Sequence, residues 1–565
     1  MKRLVLACIG ILITAADTYV IVLALPDMML GIGLDLDEMH RAAPIVSGFL
    51  LGYVAMLPLI GKLSDQFGRT PILVWSLLLF TFGSMVTATA VDLPEAVLGR
   101  FLQGVGGGGL VPTTLALVAD LWPERRRGIP LGVVGAVQEL GSVLGPLFGA
   151  AVLAFADWRM IFWISLFAGA VLAIGFVGRR PRLPDPIGML LAAAACTTLT
   201  LTLTAPDALR SDVTIGALFV SFTDSRYTSP IGLVALVLLI GFVVRELTTT
   251  RPLFNLRALP RSLASADLTG ALLLALALAG VVVAFAVADP EREVLSPAGP
   301  WLLAGAVIAG VAFVLAERRS DAPLVPRGAL RSRVAVGALV ISFLIGAALI
   351  AALVDVPVFA RTTVHPDSQV DAAFVLLRFL VPLPIGALLG GWLLRRVGPA
   401  LITSVAMALA AGTFALMTGW DTTALTEVGG HLVLVLCGFG FGLAIAPVNA
   451  ALLAVVPRWA HGICSALLVV ARMVGMLVGI SGLTAIGLRR FWIAQQQIAP
   501  PSELCPSDPA NCPAYVDALR DAALTQIHTV FAGAAVCAGV AAVLAPVLLR
   551  TRQAAGTDSP ATPPR

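Results

Sequence analysis

The sequence predicts an all-α polytopic membrane protein: two pseudo-symmetric six-helix bundles with an inserted group of about four helices, about 16 spans in all. Three observations predict it. Of the 565 residues, 58% are hydrophobic and only 12% are charged, about half the roughly 25% charge of a soluble domain. Apolar stretches of bilayer length follow one another along the whole chain. Two blocks of sequence also recur with matched spacing near its two ends.

Met1-Lys2-Arg3 before an apolar run resembles a secretion signal, and Leu6-Ala7-Cys8 resembles the end of a lipoprotein cleavage box. The run continues to Leu25, however, about the 20 residues that cross a bilayer, and reads as the first span. Spans are then expected near 4–25, 44–61, 71–91, 94–119, 129–155 and 160–178. A middle group follows near 187–204, 230–247, 267–288 and 300–317. The last six lie near 333–357, 371–394, 399–418, 430–456, 462–488 and 528–549. An even number puts both termini on one side. With Lys2 and Arg3 inside, 25 of the 37 Lys and Arg share that side, nine fall on the other, and Arg100, Arg378 and Arg472 lie within spans. That excess predicts cytoplasmic termini and an inner (plasma) membrane location.

The repeats set the domain organisation. Gly104-Val-Gly106, Pro112 and Pro123-x4-Gly128 in the fourth and fifth spans match Gly438-Phe-Gly440, Pro447 and Pro457-x4-Gly462 in the fourteenth and fifteenth. The loop Gly61-Lys-Leu-Ser-Asp65-Gln-Phe-Gly68 is matched by Gly391-Trp-Leu-Leu-Arg395-Arg-Val-Gly398. Residues 1–180 and 333–550 are therefore read as two copies of one six-helix unit. Within the insert, 181–332, Glu246 precedes Pro252-Leu253 at the spacing with which Glu317 precedes Pro323-Leu324, so two hairpins are duplicated there and are expected to be peripheral. The longest polar segment, 489–527, is placed outside. Its Cys505 and Cys512 face the oxidising side and are expected to form a disulfide. The other five cysteines lie in apolar segments as packing residues. Residues 551–565, rich in Pro and Thr, read as a disordered tail.

Several motifs resemble the major facilitator superfamily, in particular its larger drug:proton antiporter branch. Gly61-Lys62-Leu63-Ser64-Asp65-Gln66-Phe67-Gly68-Arg69 is similar to the signature loop after the second helix, and Arg100-x2-Gln103-Gly104 to the fourth-helix motif. Gly132, Gly141, Gly145, Pro146 and Gly149 stand at the spacing of the fifth-helix antiporter motif, with Ala150 in place of a final Gly. Asp17-Thr18 through Pro26 resembles the first-helix motif, with Val22 where Asn is usual. Two further spans in the insert depart from the branch. A narrower resemblance, through Asp17-Thr18-Tyr19-Val20, Gln138-Glu139-Leu140-Gly141, Leu353-Val354-Asp355-Val356 and Val469-Val470-Ala471-Arg472-Met473, is to the mycobacterial exporters that move triacylglycerols with a lipoprotein carrier. The resemblance implies lipid and drug export, a proton-coupling role for Arg100, and a conformational latch at Gly61, Asp65, Gly68 and Arg69.

The charged residues within spans carry the rest. Glu139 lies eleven residues after Gly128 and Arg472 ten after Gly462, at nearly equivalent depth in the two halves. They are expected to pair across the domain interface, as a gate or as a static ion pair that fixes packing. Asp17 has no basic neighbour one turn away, and a carboxylate without a counter-ion in low dielectric prefers to hold a proton, as a proton carrier must; the alternative is a local hydrogen bond. Asp355 is a second candidate unless it reaches water. Arg100 either couples protons or caps carbonyls, and Arg378 either pairs with an outer acid or snorkels. The glycines of the fifth span allow close helix approach. Asp65 is expected to meet a helix N-terminus.

The five histidines (His40, His365, His431, His461 and His528) show no metal-ligand spacing, and Gly61-Lys62 lacks the upstream Gly of a phosphate-binding loop. No catalytic residue, metal or cofactor is expected, and no nucleic acid. The function read from the chain is proton-coupled export of hydrophobic compounds, lipids such as triacylglycerols above all, by alternating access. The alternatives are a multidrug:proton antiporter and an uncoupled lipid scramblase or scaffold. Partners are membrane lipids, hydrophobic cargo, protons, and an extracytoplasmic lipoprotein carrier docking at 489–527.

Overall fold

The computed structural model describes residues 2–34, 39–177, 185–211, 215–223, 226–250, 267–286, 298–320, 323–325, 328, 330–365, 368–505 and 512–550. The expected tail at 551–565 lies outside them. The first bundle comprises α1 (Lys2–Gly31), α2 (Met39–Phe67), α3 (Arg69–Ala88), α4 (Leu93–Leu121), α5 (Gly128–Leu153) and α6 (Arg159–Val177). The insert supplies α7 (Pro186–Thr204), α8 (Pro230–Thr248), α9 (Leu268–Ala286) and α10 (Gly299–Arg319). The second bundle follows as α11 (Arg333–Thr363), α12 (Gln369–Leu380), α13 (Pro382–Leu393), α14 (Pro399–Met417), α15 (Val428–Val455), α16 (His461–Gln495) and α17 (Pro513–Leu548).

Among the described residues each of the sixteen expected apolar stretches is helical over most of its length, and 15 spans long and apolar enough to cross a membrane lie among them, with the shorter apolar Thr269–Ala284 in addition. One stretch differs in form. The span expected at 371–394 is two helices, α12 and α13, because Pro382 lacks the N–H that would continue the ladder, while Val381 before it keeps helical dihedrals (φ −61°, ψ −37°). Asp92 caps α4, accepting from the backbone of Glu95 at 2.9 Å, with Pro94 in the first turn.

Within the first bundle α4 is central. Every residue from Gln103 to Ala119 is buried, and a Cβ on Gly104 would lie 2.1 Å from the carbonyl oxygen of Phe49. Only glycine lets α2 come that near. The bundles meet along two seams, α2 against α16 and α5 against α13. Lys2, Arg69, Arg126, Arg127, Arg395 and Arg458 gather at one end, here called the basic end.

The two hairpins of the insert repeat one design. Asp185 accepts from Gly188 N at 3.3 Å, and Asp267 from Gly270 N at 3.1 Å. Glu246 and Glu317 stand equally close to those glycines, each with Oε1 3.0 Å from the position of a Cβ. Their placements differ. The first hairpin is tied to the first bundle at the end opposite the basic one. There Arg226 donates to Thr89 O at 3.0 Å and pairs with Glu95, which also accepts from Tyr227 Oη at 2.8 Å. In the second hairpin α9 packs against both α2 and α16, along their seam, and Lys62 Nζ donates to Pro323 O at 3.1 Å. The peripheral position expected of the insert therefore describes the first hairpin better than the second.

Candidate functional site

Three polar constellations interrupt the apolar interior. At the basic end the two seams are built on four glycines related by the internal repeat. A Cβ on Gly61 would lie 2.7 Å from Gly462 O, and one on Gly128 would lie 2.3 Å from Gly391 O. Gly61 and Gly391 occupy equivalent places in the two copies, as do Gly128 and Gly462, so each seam crosses one copy with the other. Asp65 meets the N-terminus of α16: its Oδ1 accepts from Gly462 N at 2.8 Å and its Oδ2 from Ile463 N at 3.0 Å. Arg69 pairs with Asp65, donates to Ser64 Oγ at 3.0 Å and to Asp120 Oδ2 at 2.9 Å, and reaches Arg458 O at 3.4 Å. Gly68, at φ 88°, takes the left-handed turn that lets α3 reverse directly after α2. Arg127 caps the end of α4 through Ala119 O (2.8 Å) and Trp122 O (3.0 Å), and reaches Leu453 O of the second bundle at 3.4 Å.

The second constellation lies inside the first bundle. Arg100 Nη1 donates to Asp17 Oδ2 at 2.6 Å and to Gln103 Oε1 at 3.1 Å. Gln103 Nε2 donates to Ser84 Oγ at 2.9 Å and approaches Asp17 Oδ1 at 3.4 Å, which Ser165 Oγ also reaches at 3.4 Å. The guanidinium lies 4.5 Å from the ring centre of Phe49. Asp17 and Arg100 are both buried. The expectation of an unpartnered Asp17 is thus corrected. Its counter-ion comes from α4, 83 residues away, where inspection of its own helix could not find it.

The third constellation joins the bundles. Arg472 Nη1 of α16 stands 3.7 Å from Glu139 Oε1 of α5, an ion pair too long for a hydrogen bond. A Cβ on Gly346 of α11 would lie 2.1 Å from Arg472 O, so α11 backs the arginine closely. A cavity of about 30 Å³, lined in part by Gln138, Ser342, Asn449 and Arg472, adjoins the pair and has room for a water molecule.

The remaining predicted residues fall elsewhere. Asp355 on α11 is 6% exposed, and among the described residues no hydrogen bond or ion pair reaches its carboxylate. Arg378 meets a histidine rather than an outer acid, with Nη1 3.0 Å from His431 Nδ1. The antiporter-motif residues split between two neighbours. Gly132 faces Ala387 O of α13, whereas Gly141, Gly145 and Gly149 face Ala15, Ala16 and Val20 of α1. Pro146 sits within α5 between the last two. Cys505 and Cys512 form a disulfide. No group of three or more His, Cys, Asp or Glu able to hold a metal occurs among the described residues.

Residues 7–317 match the family model of the Major Facilitator Superfamily. The chain belongs to the major facilitator superfamily. It is 37% identical over 516 residues to a triacylglyceride transporter of Mycolicibacterium hassiacum, covering 89% of this chain and 82% of that one. It is 35% identical over 494 residues to one of Mycolicibacterium smegmatis, covering 86% and 75%, and 36% identical over 498 residues to one of Mycobacterium tuberculosis, covering 86% and 82%. Among solved structures it resembles the human organic anion transporter MFSD10 (TETRAN), at a TM-score of 0.54 and 16% identity over 96% of this chain and 99% of that one. It also resembles the proton:xylose symporter XylE, at a TM-score of 0.50 and 14% identity over 95% and 94%. Those two likenesses establish the fold.

Against that superfamily fold, sequence reading missed Ser84, Ser165, Phe49 and Arg127, and it named Gln103 and Lys62 in motifs without assigning them partners. Gln103, Ser84, Ser165 and Phe49 surround the Asp17–Arg100 pair, and Arg127 and Lys62 tie elements at the basic end. One signal was available: Arg100 and Gln103 lie one turn apart on one face of an otherwise apolar helix, which demands a polar partner opposite.

Proposed function

We propose that this protein is a proton-coupled secondary exporter of hydrophobic compounds, triacylglycerides foremost, working by alternating access from an inner membrane with both termini in the cytoplasm. The observation that carries the reading is the Glu139–Arg472 pair, which bridges the two bundles. The names of the relatives support the cargo, and the scarcity of charged residues, 12% of the chain, suits it. Closed at the basic end, the bundles separate there only if Asp65 leaves the α16 terminus, which makes Gly61, Asp65, Gly68 and Arg69 a latch.

Glu139 and Arg472 then act as a gate whose pairing differs between the two states of the exporter. A buried pair costs about 3–5 kcal/mol to break, against the roughly 5.5 kcal/mol that reverses a 1:99 population. A proton arriving at Asp17 would leave the Arg100 guanidinium without its counter-ion, so protonation and rearrangement of the first bundle are linked. Asp355, buried without a described partner, is the simpler proton site. Each proton carried across is worth about 2.3 kcal/mol per 100 mV.

The extended helices are the place for a carrier. At 1.5 Å per residue, α17 with its 36 residues is about 54 Å long, well beyond a hydrocarbon core of about 30 Å. A lipoprotein docking on 489–527 would receive cargo there; deleting that segment is expected to spare folding and to cut lipid hand-over. The decisive experiment is reconstitution in proteoliposomes with an imposed pH gradient, following a labelled triacylglycerol and, in parallel, a cationic dye. Gradient-driven triacylglycerol movement supports the reading. Movement indifferent to the gradient makes the protein a scramblase, and dye movement alone makes it a drug antiporter.

A further inference from the structure

A cavity of about 970 Å³ lies at the basic end between α1 and α5, where neither the gate nor the latch uses it. It exists because α5 changes partner along its length. In its second half Gly141 and Gly145 hold α5 against α1, with Cβ positions 2.5 Å from Ala15 Cβ and Ala16 O. In its first half Gly128 and Gly132 hold it against α13 instead, so α1 and α5 part at the basic end. Leu4, Cys8 and Leu12 form one wall and Ile129, Val133 and Val137 the other, each set spaced by four residues on one helix face. Neighbouring Val5, 54% exposed, and Ile9, 39% exposed, leave the cavity open sideways to whatever surrounds the spans.

Two arginines complete the lining: Arg126 from the loop before α5 and Arg395 just after α13. Both are exposed, and among the described residues neither guanidinium has an acidic partner. They belong to different bundles. We propose that this cavity binds an anionic phospholipid, its acyl chain between α1 and α5 and its phosphate bridging Arg126 and Arg395. In a multi-pass membrane protein an apolar trough with a cationic rim is complementary to a charged lipid headgroup above its chain. Arginine forks match phosphate oxygens. A volume at the upper end of the roughly 300–1,000 Å³ of ligand pockets leaves room for the chain.

The repeat shows what the lipid supplies. Asp65 stands four residues after Gly61, and Arg395 four after Gly391. At the first seam the anion that joins the bundles is the Asp65 carboxylate; at the second, the equivalent position is a cation, and the anion comes from the membrane. A ligand that needs Arg126 and Arg395 side by side favours the arrangement closed at the basic end. The membrane's anionic lipid content thereby sets how readily that end opens.

The test uses the full-length protein in nanodiscs of phosphatidylglycerol or phosphatidylcholine. Native mass spectrometry reads bound lipid, and spin labels at Phe67 and Trp459, in a Cys196→Ala background, read the distance across the basic end. Phosphatidylglycerol is expected to enlarge the short-distance population of the wild type, and phosphatidylcholine is not. Arg126→Gln/Arg395→Gln should bind phosphatidylglycerol about tenfold more weakly and lose the shift. Val133→Trp, which fills the trough and keeps the arginines, should lose both as well. Undiminished binding by either variant, an equal shift with phosphatidylcholine, or the same shift from glycerol 3-phosphate alone would overturn the proposal. Arg126→Gln alone, on an exposed loop, keeps the test open if the other variants fail to fold.

Discussion

Two buried ion pairs, one within a bundle and one between bundles, are built to opposite specifications. Asp17 and Arg100 meet at 2.6 Å inside the first bundle, with Gln103, Ser84, Ser165 and the ring of Phe49 supplying further contacts. Glu139 and Arg472 face each other at 3.7 Å across the two bundles, beside a small cavity and with no hydrogen bond between them. The first is locked by its surroundings, and separating it requires several helices to give way. The second depends only on how the bundles sit. The difference teaches that charge alone does not tell how firmly a buried pair is held; the number of elements holding each partner does.

The largest effect is expected where the locked pair is cut. Arg100→Leu removes the counter-ion of Asp17 and strands its carboxylate among apolar helices. A loss of about 3–5 kcal/mol should appear as a much lower Tm of the purified protein, and Asp17→Asn/Arg100→Leu should recover part of it. If Arg100→Leu melts as the wild type does, the pair is not a structural lock and the contrast with Glu139–Arg472 fails.

Glu139→Gln probes the looser pair. Its stability cost is expected at or below the lower end of about 3–5 kcal/mol, because no hydrogen bond is lost between the partners, so expression should hold. Transport should be abolished all the same. A variant that transports normally would reduce the pair to static packing. Asp355→Asn sharpens the same contrast, since a carboxylate with no described partner contributes no pair to lose: Tm should not fall, whereas the response of transport to a pH gradient should weaken.

The repeats made the looser pair legible. Aligning Gly128 with Gly462 places Glu139 and Arg472 at matching depth, and pseudo-symmetry turns matching depth into proximity. The locked pair was not legible in that way, because Asp17 and Arg100 belong to the same copy and no repeat relates them; the clue was the polar face that Arg100 and Gln103 share. The helices themselves were readable from apolar runs of bilayer length. Local chemistry was harder to read: Val381-Pro382 breaks one run into two helices. That α9 lies along the α2–α16 seam left no trace in a helix apolar on every side.

A smaller effect is expected at the latch. Asp65→Asn keeps one acceptor oxygen, so one of the two hydrogen bonds that cross the seam is lost and the other loses its charge. Charge-assisted bonds contribute about 1.5–3 kcal/mol against about 0.5–1.5 for neutral ones. A difference of about 1.4 kcal/mol is tenfold in an equilibrium, so the distance distribution between labels at Phe67 and Trp459 should broaden towards separation. An unchanged distribution would mean that the glycine contacts alone close the basic end.

The smallest effect belongs to an ion pair on the first hairpin. Arg245 pairs with Asp185, its Nη2 reaching Oδ1 at 3.1 Å, and its hydrogen bonding holds the Asp185 carboxyl below the usual carboxylate range. A carboxyl lowered in the folded state adds stability that is full above its unfolded value of about 3.9 and fades as pH falls through the folded one. Wild type and Asp185→Asn should therefore differ slightly in Tm at neutral pH and converge only below about pH 4. Because Arg245 is 37% exposed on its side chain, solvent screens the pair and the neutral-pH difference should be smaller than that of Asp65→Asn. Transport should be unchanged, since the hairpin is tied to one bundle and does not cross the seam between the bundles. A transport defect in Asp185→Asn would show that the first hairpin senses the same motion as Glu139 and Arg472, and would end the distinction between locked and moving pairs.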